Sequence, residues 1–255
     1  MRPTESIYDQ ICKALLAPFL PFVARQTLHS LLKAHNLHPV LSPPLTHPPI
    51  KSETHLTFNF SDTPMTSPFL IPLVQNPSLE LVPHVSEFHH NFSQSALLLS
   101  MAIDLVLLKQ HILLIGNQGV GKNKVTDFLL SNACLNQPRE YIQLHRDTTL
   151  SSLMTHITMI GGSVKYHDSA LLRAVQNGRI LVIDEADKAP VHVVSVLKSL
   201  AGRGEMTLMD GRRIVTSSED GTTGRDVVIH PNFRMIVLGE YCKKRIFFPL
   251  SSFPI

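Results

Sequence analysis

Between residues 5 and 36 apolar and polar positions alternate at roughly helical spacing, and Pro18 and Pro21 divide the run into two short helices. The pattern then lapses. Across 41–82 Pro, Thr and Ser crowd together ("LSPPLTHPPI", "SDTPMTSPF"), no period is sustained, and the stretch reads as a Pro-rich linker. So long a loop sets the helical segment 1–40 apart from the remainder of the chain. From about residue 83 short apolar runs alternate with helix-like stretches, the pattern of an α/β domain. Strands are expected at 112–115, 141–144, 180–183 and 235–238, and helices near 94–109, 121–130, 169–176 and 190–200. Two hairpins interrupt this alternation: "MIGGSVKYHDS" turns at a Gly-Gly pair, and "GEMTLMDGRRIV" turns at Asp210-Gly211.

Two of the expected strands end in residues suited to chemistry. "HILLI" runs into "GNQGVGKNKV", which is Gly, four residues, Gly and Lys, with Asn123 where a phosphate loop ordinarily carries Ser or Thr. The strand before and the helix start after are the setting this motif requires. Backbone N–H groups of Gly116, Asn117, Gln118, Gly119, Val120 and Gly121 would surround a phosphate, with Lys122 reaching its outer oxygens. Glycine is expected there because a Cβ would obstruct close backbone approach. The bland reading is a glycine-rich strand-to-helix turn.

The second motif, "RILVIDEADKAP", sets Asp184 and Glu185 at the end of a strand, where ligands sit in open parallel sheets. Asp184 would hold Mg²⁺ and Glu185 would orient the attacking water, so the pair points to ATP with Mg²⁺. Asn123 offers a carboxamide oxygen in place of a hydroxyl for that ion or for a water in its shell, and binding survives this change more readily than rapid hydrolysis.

Together with "REYIQLHRDTT", "DSALLRAVQNG" and "VVIHPNFRMIVL", these segments resemble the AAA-type ATPase modules of the dynein-related, midasin and MoxR-like group. The resemblance implies a P-loop NTPase fold, a parallel sheet with flanking helices, over 83–240. It also implies ATP hydrolysis with Asp184 and Glu185 as catalytic residues, neighbouring AAA subunits or modules in a ring, a remodelled protein client and a mitochondrial setting. Residues 1–40 resemble the end of a preceding module's lid. After "FRMIVL" the family continues with a phosphate-sensing Asn, whereas this chain has Gly239 and Glu240 and a divergent tail, 241–255. The fold is therefore expected to be truncated after about the fourth strand, leaving "HILLI" on an open edge and the chain marginally soluble. A structural module that binds nucleotide and hydrolyses little is the competing expectation.

Composition changes this picture little. In 255 residues the hydrophobic share is 44% and the formal net charge +3, too small and too scattered to argue for a nucleic-acid partner on electrostatic grounds alone. Cys12, Cys134 and Cys242 stand far apart and suggest neither disulfide nor zinc. The most apolar run carries Asp104 and Lys109 and is too interrupted for a membrane span, and no transit peptide is readable at the N-terminus. His84, His89 and His90 read as loop residues, and Asp147-Thr148-Thr149, near where the phosphates would lie, as a helix cap or a contact with substrate. Lys188, Arg203, Arg212 and Arg213 form a modest basic patch, either a solvated face or a surface for an acidic partner.

Overall fold

The computed structural model describes residues 22–35, 49–58, 69–73, 79–85, 87–160, 163–208, 211–216 and 226–240. The first of the two expected N-terminal helices, the hairpin residue Asp210 and the tail 241–255 lie outside these. The second N-terminal helix is present as α1 (Phe22–Ala34).

The main sheet holds four parallel strands, β4 (Ile112–Ile115), β12 (Arg234–Gly239), β8 (Ile180–Asp184) and β5 (Arg139–Gln143), in that spatial order. All four coincide with expected strands to within two residues at each end. Side chains alternate across the pleat, so both faces are buried. Ile180 and Val182 of β8, with Ile236 and Leu238 of β12, enter one apolar cluster, while Leu181, Ile183, Met235 and Val237 enter the other. Among the described residues β4 and β5 are the two edge strands.

The first face is covered by α2 (Phe92–Ala102), by α3 (Lys122–Leu130) and by a small antiparallel sheet of β1 (Ile50–Lys51), β2 (His55–Phe58) and β3 (Phe69–Pro72). This small sheet corrects the linker expectation for 41–82 over its described part. Leu56, Phe58 and Ile71 are fully buried against Leu98, Leu129 and Ile112, so this stretch is core and not tether. α2 is capped by Asn91, whose side chain accepts from the Gln94 N–H at 2.8 Å. Its run is apolar on nearly every side, as a helix enclosed between two layers must be. The expected 94–109 helix is α-helical only to Ala102 and continues as a π-turn, Ile103–Leu107.

The second face carries α4 (Leu150–Met154), α5 (Ala170–Asn177) and α6 (Val191–Arg203). Both expected hairpins are present. β6 (Thr155–Ile160) pairs with β7 (Ser163–Asp168), and β9 (Met206–Thr207) pairs with β10 (Arg213–Val215), which β11 (Val227–Val228) joins in parallel. Arg212 bridges to Asp168 at 3.5 Å and thereby ties the second hairpin to the first, and Arg213 reaches Asp226 at 3.2 Å. These two arginines are paired within the fold.

At the end of the sheet where the strands begin, charge is enclosed by charge. Glu140 is buried on β5, and its carboxylate accepts from Arg173 Nη2 at 2.9 Å and Nε at 3.2 Å and from Arg179 Nη1 at 2.6 Å, joining β5 to α5. At the same end but the opposite edge of the sheet, His111 Nδ1 accepts the Met235 N–H at 2.9 Å, and burial, aided by the charge of Arg234, pushes its pKa down to about 4.

Candidate functional site

The opposite end of the sheet gathers the residues singled out by the sequence. Gly116 follows β4 directly, and its N–H donates to the Gly239 carbonyl at 3.2 Å, so the loop starts anchored on β12. Gly119 and Gly121 take φ of +81° and +84°, and Gly121 caps the N-terminus of α3. A Cβ at either glycine would meet nothing within 4 Å. Glycine is thus favoured here by its left-handed backbone, in addition to the room that close approach of a phosphate would need. The Lys122 ammonium folds back onto its own loop and donates to the Gly116 and Asn117 carbonyls, both at 2.8 Å.

Asp184, the last residue of β8, is buried to 9% exposure. Its Oδ2 accepts from Asn123 Nδ2 at 2.6 Å and from the Tyr141 hydroxyl at 2.8 Å, and its Oδ1 accepts the Glu185 N–H at 2.8 Å. The two motifs thus meet directly, since Asn123 belongs to the first turn of α3 and Asp184 to β8. Tyr141 is held in turn by Arg139, whose guanidinium lies 5.4 Å from the ring centroid and is ion-paired with Asp127 of α3. The Tyr141 hydroxyl is pushed up to about 12 by burial and by the Asp184 carboxylate it donates to.

Glu185 adopts φ 54° and ψ 36°, left-handed backbone in a residue with a Cβ. Lys188 is paired with its Oε1, Gln143 Nε2 donates to its Oε2 at 3.1 Å, and His145 Nδ1 stands 3.7 Å away. The Lys188 ammonium, and then the Gln143 amide, hold the Glu185 carboxyl below the usual carboxylate range. The end of β12 is fixed to the same turn, the Glu240 N–H donating to Asp187 Oδ1 at 2.9 Å.

All of the expected site residues therefore converge at the carboxyl ends of β4 and β8, on either side of β12. Asn117, Gln118, Gly119 and Val120 form the exposed crest of the loop. Asp184 with Asn123 is a hard-oxygen donor pair of the kind Mg²⁺ takes beside phosphate and water, and the ion needs no larger cage. Among the described residues no group of three His, Cys, Asp or Glu could hold a metal. Thr149 serves the capping role, its hydroxyl accepting the Ser152 N–H at 3.3 Å.

Sequence reasoning missed Tyr141, Gln143 and His145, and took Lys188 only as surface charge. The missed signal is the period of "YIQLH", which places Tyr141 and Gln143 on one face of β5, with His145 continuing the alternation beyond it. The register pairs Gln143 with Asp184.

Residues 111–247 match the family model of the AAA domain, dynein-related subfamily. The chain is 42% identical over 244 residues to von Willebrand factor A domain-containing protein 8 of Mus musculus, a match covering 93% of this chain and 12% of that protein. It is 28% identical over 125 residues to Protein NorQ of Paracoccus denitrificans, covering 49% of this chain and 42% of NorQ. The match thus spans well under half the length of either curated relative. Among solved structures, that of a candidate ATPase from Cytophaga hutchinsonii matches 55% of this chain and 37% of its own at 18% identity, with a TM-score of 0.36.

Proposed function

Because the chain belongs to the dynein-related AAA family, whose modules are of the nucleotide-binding ATPase type, we propose that it binds ATP with Mg²⁺ at the β4–α3 loop and hydrolyses it. The loop from Gly116 to Gly121 cradles the phosphates, and Lys122 leaves its own carbonyls for the outer phosphate oxygens. Asp184, with Asn123, holds the metal, which neutralises charge developing on the phosphates, and Glu185 orients the attacking water. The observation that carries this reading is the 2.6 Å contact of Asn123 with Asp184, which joins the loop motif to the acidic motif across the sheet.

The module serves a larger remodelling or chaperone-like ATPase, its partners being further AAA subunits or modules and a protein client. This, like a mitochondrial location, rests on family resemblance. Among the described residues no helix is long and apolar enough to cross a membrane.

A second reading has its own support: Lys188 and Gln143 already occupy the Glu185 carboxylate, and Gly239-Glu240 stands where the family carries a sensing Asn. On this reading nucleotide holds an assembly together and little of it is hydrolysed. Phosphate release from ATP, measured against protein concentration with Glu185→Gln alongside, separates the two. Release that rises faster than linearly and vanishes in the variant supports hydrolysis by assembled subunits, whereas release equal to the variant leaves nucleotide binding as the module's activity.

A further inference from the structure

The geometry points to Tyr141, with Asn123, as a two-donor clamp on Asp184 that loosens the dependence of ATP binding on Mg²⁺. The inference rests on the nucleotide-site reading above and concerns how that site is tuned. It begins from a count of acceptor positions. A carboxylate offers about four lone-pair sites, two on each oxygen. On Asp184 both sites of Oδ2 are taken, by the Asn123 amide at 2.6 Å and the Tyr141 hydroxyl at 2.8 Å. One site of Oδ1 is taken by the Glu185 N–H at 2.8 Å.

A hydrated Mg²⁺ keeps most of its waters and presents them as donors. At Asp184 it finds one acceptor position where a carboxylate free of the clamp would offer three. Gaining more means displacing a donor already in place. Asn123 is fixed in the first turn of α3, and Tyr141 is fixed from the other side, under the Arg139 guanidinium that Asp127 of the same helix holds. The clamp is therefore braced at both ends by α3 and β5. A hydroxyl at position 123 could ligand the ion through the same oxygen that donates to Asp184, whereas Asn123 must divide the two tasks between its carboxamide oxygen and its amide nitrogen. Phosphate contacts from the loop backbone and Lys122 do not pass through Asp184, so nucleotide is retained when the metal is weakly held. Tyr141 is thus a positioning residue for metal selectivity, absent from either sequence motif.

Equilibrium ATP binding to the full chain, read by titration calorimetry in Mg²⁺ and in EDTA, tests this. The wild-type ratio of the two Kd values is expected below about tenfold. Tyr141→Phe, which removes the donor and keeps the ring, is expected to raise that ratio roughly tenfold by tightening binding in Mg²⁺ alone, about the worth of one hydrogen bond to a charged group. Asn123→Thr is expected to raise it at least as far, and it carries the test by itself should Tyr141→Phe fail to unfold at the wild-type temperature. A wild-type ratio above tenfold, or a ratio that neither variant raises, overturns the clamp while leaving the nucleotide site standing. Absence of ATP binding in either buffer overturns both.

Discussion

Glu140 and Asp184 are both buried carboxylates of the main sheet, one near the start of β5 and one at the end of β8, and their surroundings differ in kind. Glu140 is enclosed by two guanidinium groups, from Arg173 and Arg179. Asp184 accepts only neutral donors, an amide, a phenol and a backbone N–H, and among the described residues no cation pairs with it. Burying an anion without a counter-charge is costly, and proteins ordinarily supply a cation from their own chain, as β5 and α5 do for Glu140. For Asp184 the proposed Mg²⁺ would be that cation. The contrast separates a carboxylate paired within the fold from one whose charge the proposed metal would balance.

Removing each carboxylate is the direct way to break this comparison. Asp184→Asn is expected to lower Mg²⁺-stimulated phosphate release by roughly a hundredfold or more, the scale of a lost metal contact, with the urea unfolding midpoint near wild type. A large fall in stability would show Asp184 to be structural after all. Glu140→Ala should do the reverse. Two arginines lose their common partner, one of them substantially solvated, and the expected loss is about 2 kcal/mol by urea titration with ATP affinity unchanged.

Titration of His111 sharpens the same contrast. Burial holds its pKa down to about 4, whereas in the unfolded chain it lies near 6.5, so between these values the unfolded chain binds the extra proton. Stability contributed by neutral His111 is therefore fully present above about pH 6.5 and is lost as pH falls toward about 4. Urea midpoints across that window should decline by on the order of 2 kcal/mol, and His111→Gln should flatten the decline. The smallest effect is expected at the other end of the sheet. Lys188→Ala releases an exposed carboxylate, which should leave stability unchanged and raise basal phosphate release about threefold, the scale of a surface ion pair. A fall in release would mean that Lys188 assists Glu185 instead of restraining it.

Much of this architecture was readable in advance, and the physical reason is periodicity. β4, β8 and β12 are apolar runs because both faces of a parallel sheet are buried, and the glycine loop and the Asp184-Glu185 pair follow such runs directly. The small sheet of β1, β2 and β3 was not readable. Its strands are two to four residues long, shorter than any pattern window, and their burial comes from a core built far along the chain, β3 lying against the π-turn Ile103–Leu107. Tyr141 was missed for a related reason: its bond to Asp184 depends on the register between β5 and β8, and register is a property of two segments together. The glycines of the loop were legible from their spacing, whereas the left-handed backbone at Gly119 and Gly121 was not.

Glu185 holds a φ of 54° that a residue with a Cβ adopts at a cost of about 1 kcal/mol, and glycine or asparagine would adopt with less. Heat endurance and chemistry therefore pull this position in opposite directions. In a library randomised at 185 and sorted only for survival at high temperature, glycine and asparagine should displace glutamate, while a sort for turnover should restore it. The codon that prevails would record which demand was imposed on the molecule.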